Sequence, residues 1–129
     1  MILDTSFLIA VLRGDSGVES WESKLEEAGG GTVTPISVME LWEGIHRSKS
    51  SKTEREEVKR LLTGLNEAPF NRAAAMRAGE ISAKLTANGN TIDIEDIMIG
   101  AVALERNCPV LTGNPKHFNR IPDLVVESY

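Results

Sequence analysis

The side chains best equipped for chemistry are carboxylates, and three of them invite more than a structural explanation: Asp4, Glu40 and Asp96. Asp4 follows the apolar pair Ile2-Leu3 and precedes Thr5-Ser6, which puts a carboxylate at the end of a short buried strand and the start of a helix. In open α/β sheets, ligands bind at that edge. The competing explanation is that Asp4 helps cap the helix, a common place for Asp. Glu40 stands six residues past the expected helix cap Thr34, too deep to be a first-turn acid favoured by the helix dipole. Asp96 enters a segment that is apolar in almost every direction, where an ionised carboxylate is costly unless paired or bound to a metal. Thr112 and Asn114, around Gly113 at the end of a late strand, are placed to hydrogen-bond a carboxylate, a water or a phosphate, although Gly-Asn-Pro is also simply a turn.

Other polar residues have ordinary explanations. Glu43 and Arg47 stand at i and i+4 in the favourable order and read as a solvated helix pair. Glu54, Glu56 and Glu57 read as cap and surface charges. Asp93 and Glu95 fit as a helix cap and a first-turn acid. His117, next to Phe118, reads as packing rather than catalysis, His46 carries still less signal, and Cys108 reads as a packed thiol. A helix start that precedes a strand is expected at the opposite end from that strand's carboxyl end, which leaves open whether Asp96 reaches Asp4.

The elements that must position these groups follow from periodicity. Ile2-Leu3 shows no alternation, as expected of a central strand covered on both faces. Thr5 or Ser6 caps a helix through Phe7, Leu8, Val11 and Leu12 that stops at Gly14. Val18, Trp21, Leu25 and Ala28 predict a second helix over 18–28, and Thr32-Val33-Thr34 a second strand. Thr34-Pro35 opens a third helix with Val38, Leu41, Trp42 and Ile45 on one face. After a polar break over 48–52, Thr53 has capping-box spacing before a helix reaching Leu65, so two helices form a hairpin. Ala68-Pro69-Phe70 reads as an edge strand, and Asn71 caps a long helix carrying Ala74, Ala78, Ile81 and Leu85. A buried helix over 94–104, a strand over 109–112, a short helical piece over 116–119 and a closing strand over 124–126 complete the chain. The alternation predicts an α/β fold with a mainly parallel sheet of about five short strands, flanked by helices and joined by right-handed crossovers.

Length and composition bound the function. The 129 residues are expected to form one domain, and 41% hydrophobic with 26% charged residues is an ordinary globular composition. No apolar run approaches a membrane span, and a strand at residue 2 leaves no room for a signal peptide, so a cytoplasmic location is expected. One cysteine excludes an internal disulfide and a cysteine-rich zinc site. A net charge of −5 argues against coating nucleic acid by bulk electrostatics, but not against a local basic patch.

Four stretches taken together, Ile2-Leu3-Asp4-Thr5-Ser6, Ile36-Ser37-Val38-Met39-Glu40-Leu41, Asp96-Ile97-Met98-Ile99-Gly100-Ala101 and Val110-Leu111-Thr112-Gly113-Asn114-Pro115-Lys116-His117-Phe118, resemble the PIN-domain family. Within it they look most like VapC-type toxins of prokaryotic toxin–antitoxin pairs, across essentially the whole chain. The resemblance implies a PIN-like three-layer fold in which Asp4, Glu40 and Asp96 gather to hold Mg²⁺ or Mn²⁺. It implies metal-dependent hydrolysis of single-stranded or structured RNA, with Asn114 in the catalytic set and Thr5, Ser6 and Thr112 as ligand-supporting or phosphate-orienting groups. Glu43, Asp93 and Arg13 are candidates for auxiliary roles, and Arg13, Lys49, Lys52, Arg55 and Lys116 for substrate contact. Many family members carry Asp where this chain has Asn114. An Asn adds no negative charge, which weakens the case for a second tightly bound ion. The partners implied are a homodimeric mate and a small antitoxin. Competing classes are a PIN-like binding module with little catalysis and a phosphatase or phosphotransfer domain using Asp4, although Ser6 removes the second acid that such phosphatases use.

Overall fold

The computed structural model describes residues 1–49 and 52–129. Five short strands form one parallel sheet: β1 (Ile2–Leu3), β2 (Thr32–Val33), β3 (Asn66–Glu67), β4 (Val110–Thr112) and β5 (Val126–Ser128), in the order β3-β2-β1-β4-β5. The helices are α1 (Thr5–Arg13), α2 (Glu22–Glu27), α3 (Pro35–Arg47), α4 (Lys52–Thr63), α5 (Arg72–Ala87), α6 (Ile94–Glu105) and α7 (Pro115–Phe118). The chain moves from β1 to β2 and β3 on one side, then to β4 and β5 on the other. The order therefore reverses between β1 and β4, and ligands bind outside the carboxyl ends of strands at such a switch point.

Alternation along the strands builds the layers. Ile2 and Val110 point into one core with Ala78, Ile81, Ile99, Val102 and Phe118, while Leu3, Val33 and Leu111 point into a second with Phe7, Leu8, Leu41 and Val58. Helix α3 serves both, with Ile36 in the first core and Leu41 and Ile45 in the second. Its entry is fixed by Thr34, whose hydroxyl accepts the Ser37 N–H at 3.3 Å, with Pro35 in the first turn. Asn71 caps α5 in the same way, accepting the Ala74 N–H at 3.0 Å.

Several boundaries differ from the sequence reading. β3 lies at the sheet edge as expected, but it is Asn66–Glu67 rather than 68–70, because Pro69 has no N–H and pairing ends with Ala68 N–H on the Val33 carbonyl. β5 begins two residues later than expected. Asp123 takes a left-handed φ of 66°, which folds the chain back so that Leu124 packs on α6 before the strand starts. The segment over 18–28 splits into a single 3-10 turn, Glu19–Trp21, and the short α2. Helix α4 already includes Lys52, so Thr53 lies inside it, and the expected break over 48–52 includes Ser50 and Ser51, outside the described residues. No helix among the described residues is long and apolar enough to cross a membrane.

Candidate active site

The site grows from the pairing of β1 with β4. Ile2 and Leu3 stand opposite Val110 and Leu111, and the Asp4 N–H donates to the Leu111 carbonyl at 2.9 Å, so Asp4 emerges beside Thr112 at the carboxyl edge. Asp4 itself occupies the N-cap position of α1, in place of Thr5 or Ser6. Its carbonyl accepts the Phe7 N–H at 3.0 Å, while its side chain makes no capping bond. The buried carboxylate is held instead through Oδ2, which accepts the Ser6 hydroxyl at 2.7 Å and the Thr112 hydroxyl at 2.8 Å. Those hydroxyls are themselves fixed from the β4–α7 turn. Ser6 Oγ accepts the Gly113 N–H and Thr112 Oγ1 the Asn114 N–H, both at 2.9 Å.

Glu40 arrives from α3. The Thr5 hydroxyl donates to its Oε1 at 2.7 Å and lies 2.9 Å from the buried Ser37 hydroxyl one turn earlier. Asp96 comes from the first turn of α6, with Oδ2 2.8 Å from His117 Nδ1. The expectation that a helix start preceding a strand lies away from that strand's carboxyl end is wrong for a crossover. Such a helix runs antiparallel to the strand it feeds, so its first turn sits at the carboxyl edge and delivers Asp96 toward Asp4.

The three carboxylates feel one another. Burial pushes the Glu40 pKa above the ordinary range; the Thr5 bond opposes this, and the charges of Asp4, Asp96 and Glu95 raise it further. Burial likewise raises Asp96, against the bond from His117, with Asp4 and Asp93 adding to the rise. None of the three is paired with a lysine or arginine among the described residues. Among the described residues no hydrogen bond reaches Asp4 Oδ1, Glu40 Oε2 or Asp96 Oδ1, and no buried side-chain oxygen lacks a partner. Each carboxylate therefore has one oxygen held by the protein and one without a hydrogen bond among the described residues. An all-oxygen donor set of mutually repelling, partly buried carboxylates suits a hard divalent cation.

The PIN domain family profile matches residues 1–124. The chain belongs to the PIN-domain family. Within it, the chain stands with the VapC branch: it is 37% identical to Ribonuclease VapC of Rickettsia bellii over 98% of this chain and 93% of that relative. It is 29% identical to the tRNA(fMet)-specific endonuclease VapC of Salmonella typhimurium over 75% of this chain and 74% of the relative. Among solved structures, the DNA-bound VapBC complex from Salmonella typhimurium superposes with a TM-score of 0.89 at 26% identity, covering 98% of this chain and 96% of that one.

This PIN domain leaves some sequence candidates outside the cluster. Glu43 is exposed and pairs with Arg47 at 2.9 Å, as its spacing implied. Arg13 is exposed and lines, with Glu40, Ile9, Leu12, Leu41 and Val58, a cleft of about 490 Å³. Asp93 is exposed at the N-cap of α6 without a side-chain capping bond, and it offers an oxygen within 4.8 Å of the ligand atoms of Asp96 and His117. Asn114 is half-buried at the N-cap of α7. The sequence gives His117 a packing role; packing falls instead to its fully buried neighbour Phe118, while His117 bonds Asp96. Ser37 and Glu95 also belong to the site's surroundings. Ser37 had a signal in its spacing, one turn before Glu40, whereas His117 lies 21 residues from its partner and had none.

Proposed function

We propose that this chain is a metal-dependent endoribonuclease, the toxin of a toxin–antitoxin pair, acting in the cytoplasm as one domain over residues 1–129. The observation that carries the reading is the charge coupling of Asp4, Glu40 and Asp96 at the carboxyl edge of the sheet, each with one oxygen held by a hydrogen bond, beside the group in which ligand atoms of Asp93, Asp96 and His117 lie within 4.8 Å of one another. Asp4, Glu40 and Asp96 would hold Mg²⁺ or Mn²⁺ through their other oxygens. When bound, such a cation offsets charge developing on a phosphodiester and acidifies a water at neutral pH.

The chain's own groups set up the rest. Ser6 and Thr112 fix the Asp4 carboxylate and Thr5 fixes that of Glu40, as outer partners do for metal ligands generally. The N–H groups of Thr5 and Ser6 precede the first intrahelical bond of α1 and meet a substrate phosphate. Asn114 holds a water or substrate oxygen without adding charge. Asp93 is the auxiliary acid. Glu43 is not, because its carboxylate is exposed and already paired. Arg13, Lys49, Lys52, Arg55 and Lys116 are exposed and guide the RNA.

Similarity to a VapBC assembly supports a cognate antitoxin as partner. The cleft beside Glu40, apolar along Ile9, Leu12 and Leu41 with Glu57 among its lining, suits an amphipathic antitoxin segment ending in a basic side chain. A homodimer is the proposed assembly of the toxin itself. The binding-module and phosphotransfer alternatives are not favoured, since the relatives are ribonucleases.

The test is cleavage of a panel of single-stranded RNA and tRNA with Mg²⁺ or Mn²⁺ against EDTA, using wild type beside Asp4→Asn and Asp96→Asn. Metal-dependent cutting lost in both variants is expected. Cleavage by either variant at the wild-type rate would falsify the catalytic assignment.

A further inference from the structure

Each carboxylate of the site has its own donor: Ser6 and Thr112 on Asp4, Thr5 on Glu40, and His117 on Asp96. The first three are hydroxyls on the elements that carry the site, but His117 comes from α7, whose placement needs explaining. Pro115 opens that helix, the Asn119 N–H closes on the Pro115 carbonyl at 2.8 Å, and the fully buried Phe118 anchors it in the core beside His117. A ring next to such an anchor has little freedom, and it covers an Asp96 side chain that is 17% exposed while remaining 33% exposed itself. An ionised Asp96 carboxylate only accepts, so in that state Nδ1 donates to it and Nε2 is left for any other contact.

We propose that His117 is the positioning residue for Asp96, its Nδ1–H holding Oδ2 so that Oδ1 serves as the ligand atom, as Thr5 does for Glu40. This rests on the reading of Asp96 as a cation ligand. A ring nitrogen that instead bound the cation or touched substrate would have to be Nε2, because Nδ1 is committed. Asparagine and glutamine separate the two atoms. In His117→Asn the amide nitrogen falls near the Nδ1 position, and in His117→Gln near the Nε2 position.

The experiment measures Mn²⁺ affinity of the whole chain by calorimetry for wild type, Asp96→Asn, His117→Ala, His117→Asn and His117→Gln, with thermal unfolding in EDTA to confirm that each variant is folded. His117→Ala and His117→Gln are expected to weaken binding by about 10- to 100-fold, the usual cost of losing a ligand's outer partner, and His117→Asn to restore most of it. Cleavage should follow the same order and recover in His117→Ala as Mn²⁺ is raised. Wild-type affinity in His117→Ala beside a weakened Asp96→Asn overturns the proposal, and so does a His117→Asn variant as weak as His117→Ala. If His117→Ala fails to fold, the Asn and Gln variants decide. Wild-type affinity in Asp96→Asn removes the underlying ligand reading instead, so the two failures are told apart.

Discussion

Glu40 and Glu43 stand three residues apart on α3 and meet opposite surroundings. Glu43 faces water and Arg47, 2.9 Å away, an exposed pair of the kind worth a few tenths of a kcal/mol. Glu40 faces the sheet edge, takes a hydroxyl from Thr5, and has its pKa raised by burial and by the charges of Asp4, Asp96 and Glu95. The outer carboxylate is neutralised by the chain itself. The inner one is left with a charge that no lysine or arginine among the described residues offsets, and the proposed cation site rests on that difference.

The largest contrast is expected in catalysis. Asp4→Asn and Asp96→Asn should each lower RNA cleavage on the order of a thousandfold, since several kcal/mol of charge stabilisation depend on the cation they are proposed to hold. Glu43→Gln should stay within about twofold of wild type, because a surface pair carries little energy. Single-turnover rates at fixed Mn²⁺ measure this, and an equal loss in Glu43→Gln would erase the distinction between the two faces.

Cation binding sharpens the contrast in stability. A hundredfold excess of Mn²⁺ over its Kd should stabilise wild type and Glu43→Gln by about 2.7 kcal/mol. In a chain of this length that is a rise of roughly ten degrees in Tm. Asp96→Asn should show a much smaller rise. Differential scanning fluorimetry with Mn²⁺ against EDTA reads both, and an equal response in Asp96→Asn would remove it from the ligand set.

How much of this was legible in the sequence depended on whether the cause was local. Ile2-Leu3 announced a strand covered on both sides because two adjacent apolar residues feed two cores. Thr34 and Asn71 announced their caps because a cap reaches only three residues. The β3 boundary was misplaced because apolar composition was weighed above the missing N–H of Pro69. Asp4 is ambiguous in the sequence between a side-chain cap and a ligand; in the structure it stands at the N-cap position without a side-chain capping bond, its carboxylate taken instead by Ser6 and by Thr112, 108 residues away. The placement of Asp96 near Asp4 is within reach of topology, since a helix that feeds a parallel strand runs against it, but the sequence reading puts that helix start at the opposite edge. His117 was out of reach: nothing near it in sequence names Asp96, and only the packing of α7 through Phe118 brings the two together.

The smallest expected effect lies in the metal-free protein, and it reverses sign between the two glutamates. A carboxyl whose folded pKa is raised contributes stability that is fully present below its unfolded pKa and is lost as pH rises through the folded value. At neutral pH in EDTA, Glu40 is therefore a burden on the fold. Glu40→Gln keeps an oxygen for the Thr5 hydroxyl and removes the charge, so it should raise Tm. The gain should be about 1 kcal/mol or less, a few degrees, because the group is half open to solvent. Wild type should lose stability as pH climbs from the ordinary glutamate range through the raised value of Glu40, and Glu40→Gln should flatten that stretch of the Tm-against-pH curve. Glu43→Gln should do the reverse, lowering Tm by about a degree through loss of its pair with Arg47. Saturating Mn²⁺ should invert the first result, since Glu40→Gln then forgoes more binding than it gains in relieved repulsion. If Glu40→Gln lowers Tm in EDTA as Glu43→Gln does, the inner carboxylates are stabilising each other through shared hydrogen bonds and the unmet charge at the sheet edge is not the feature that calls for a cation.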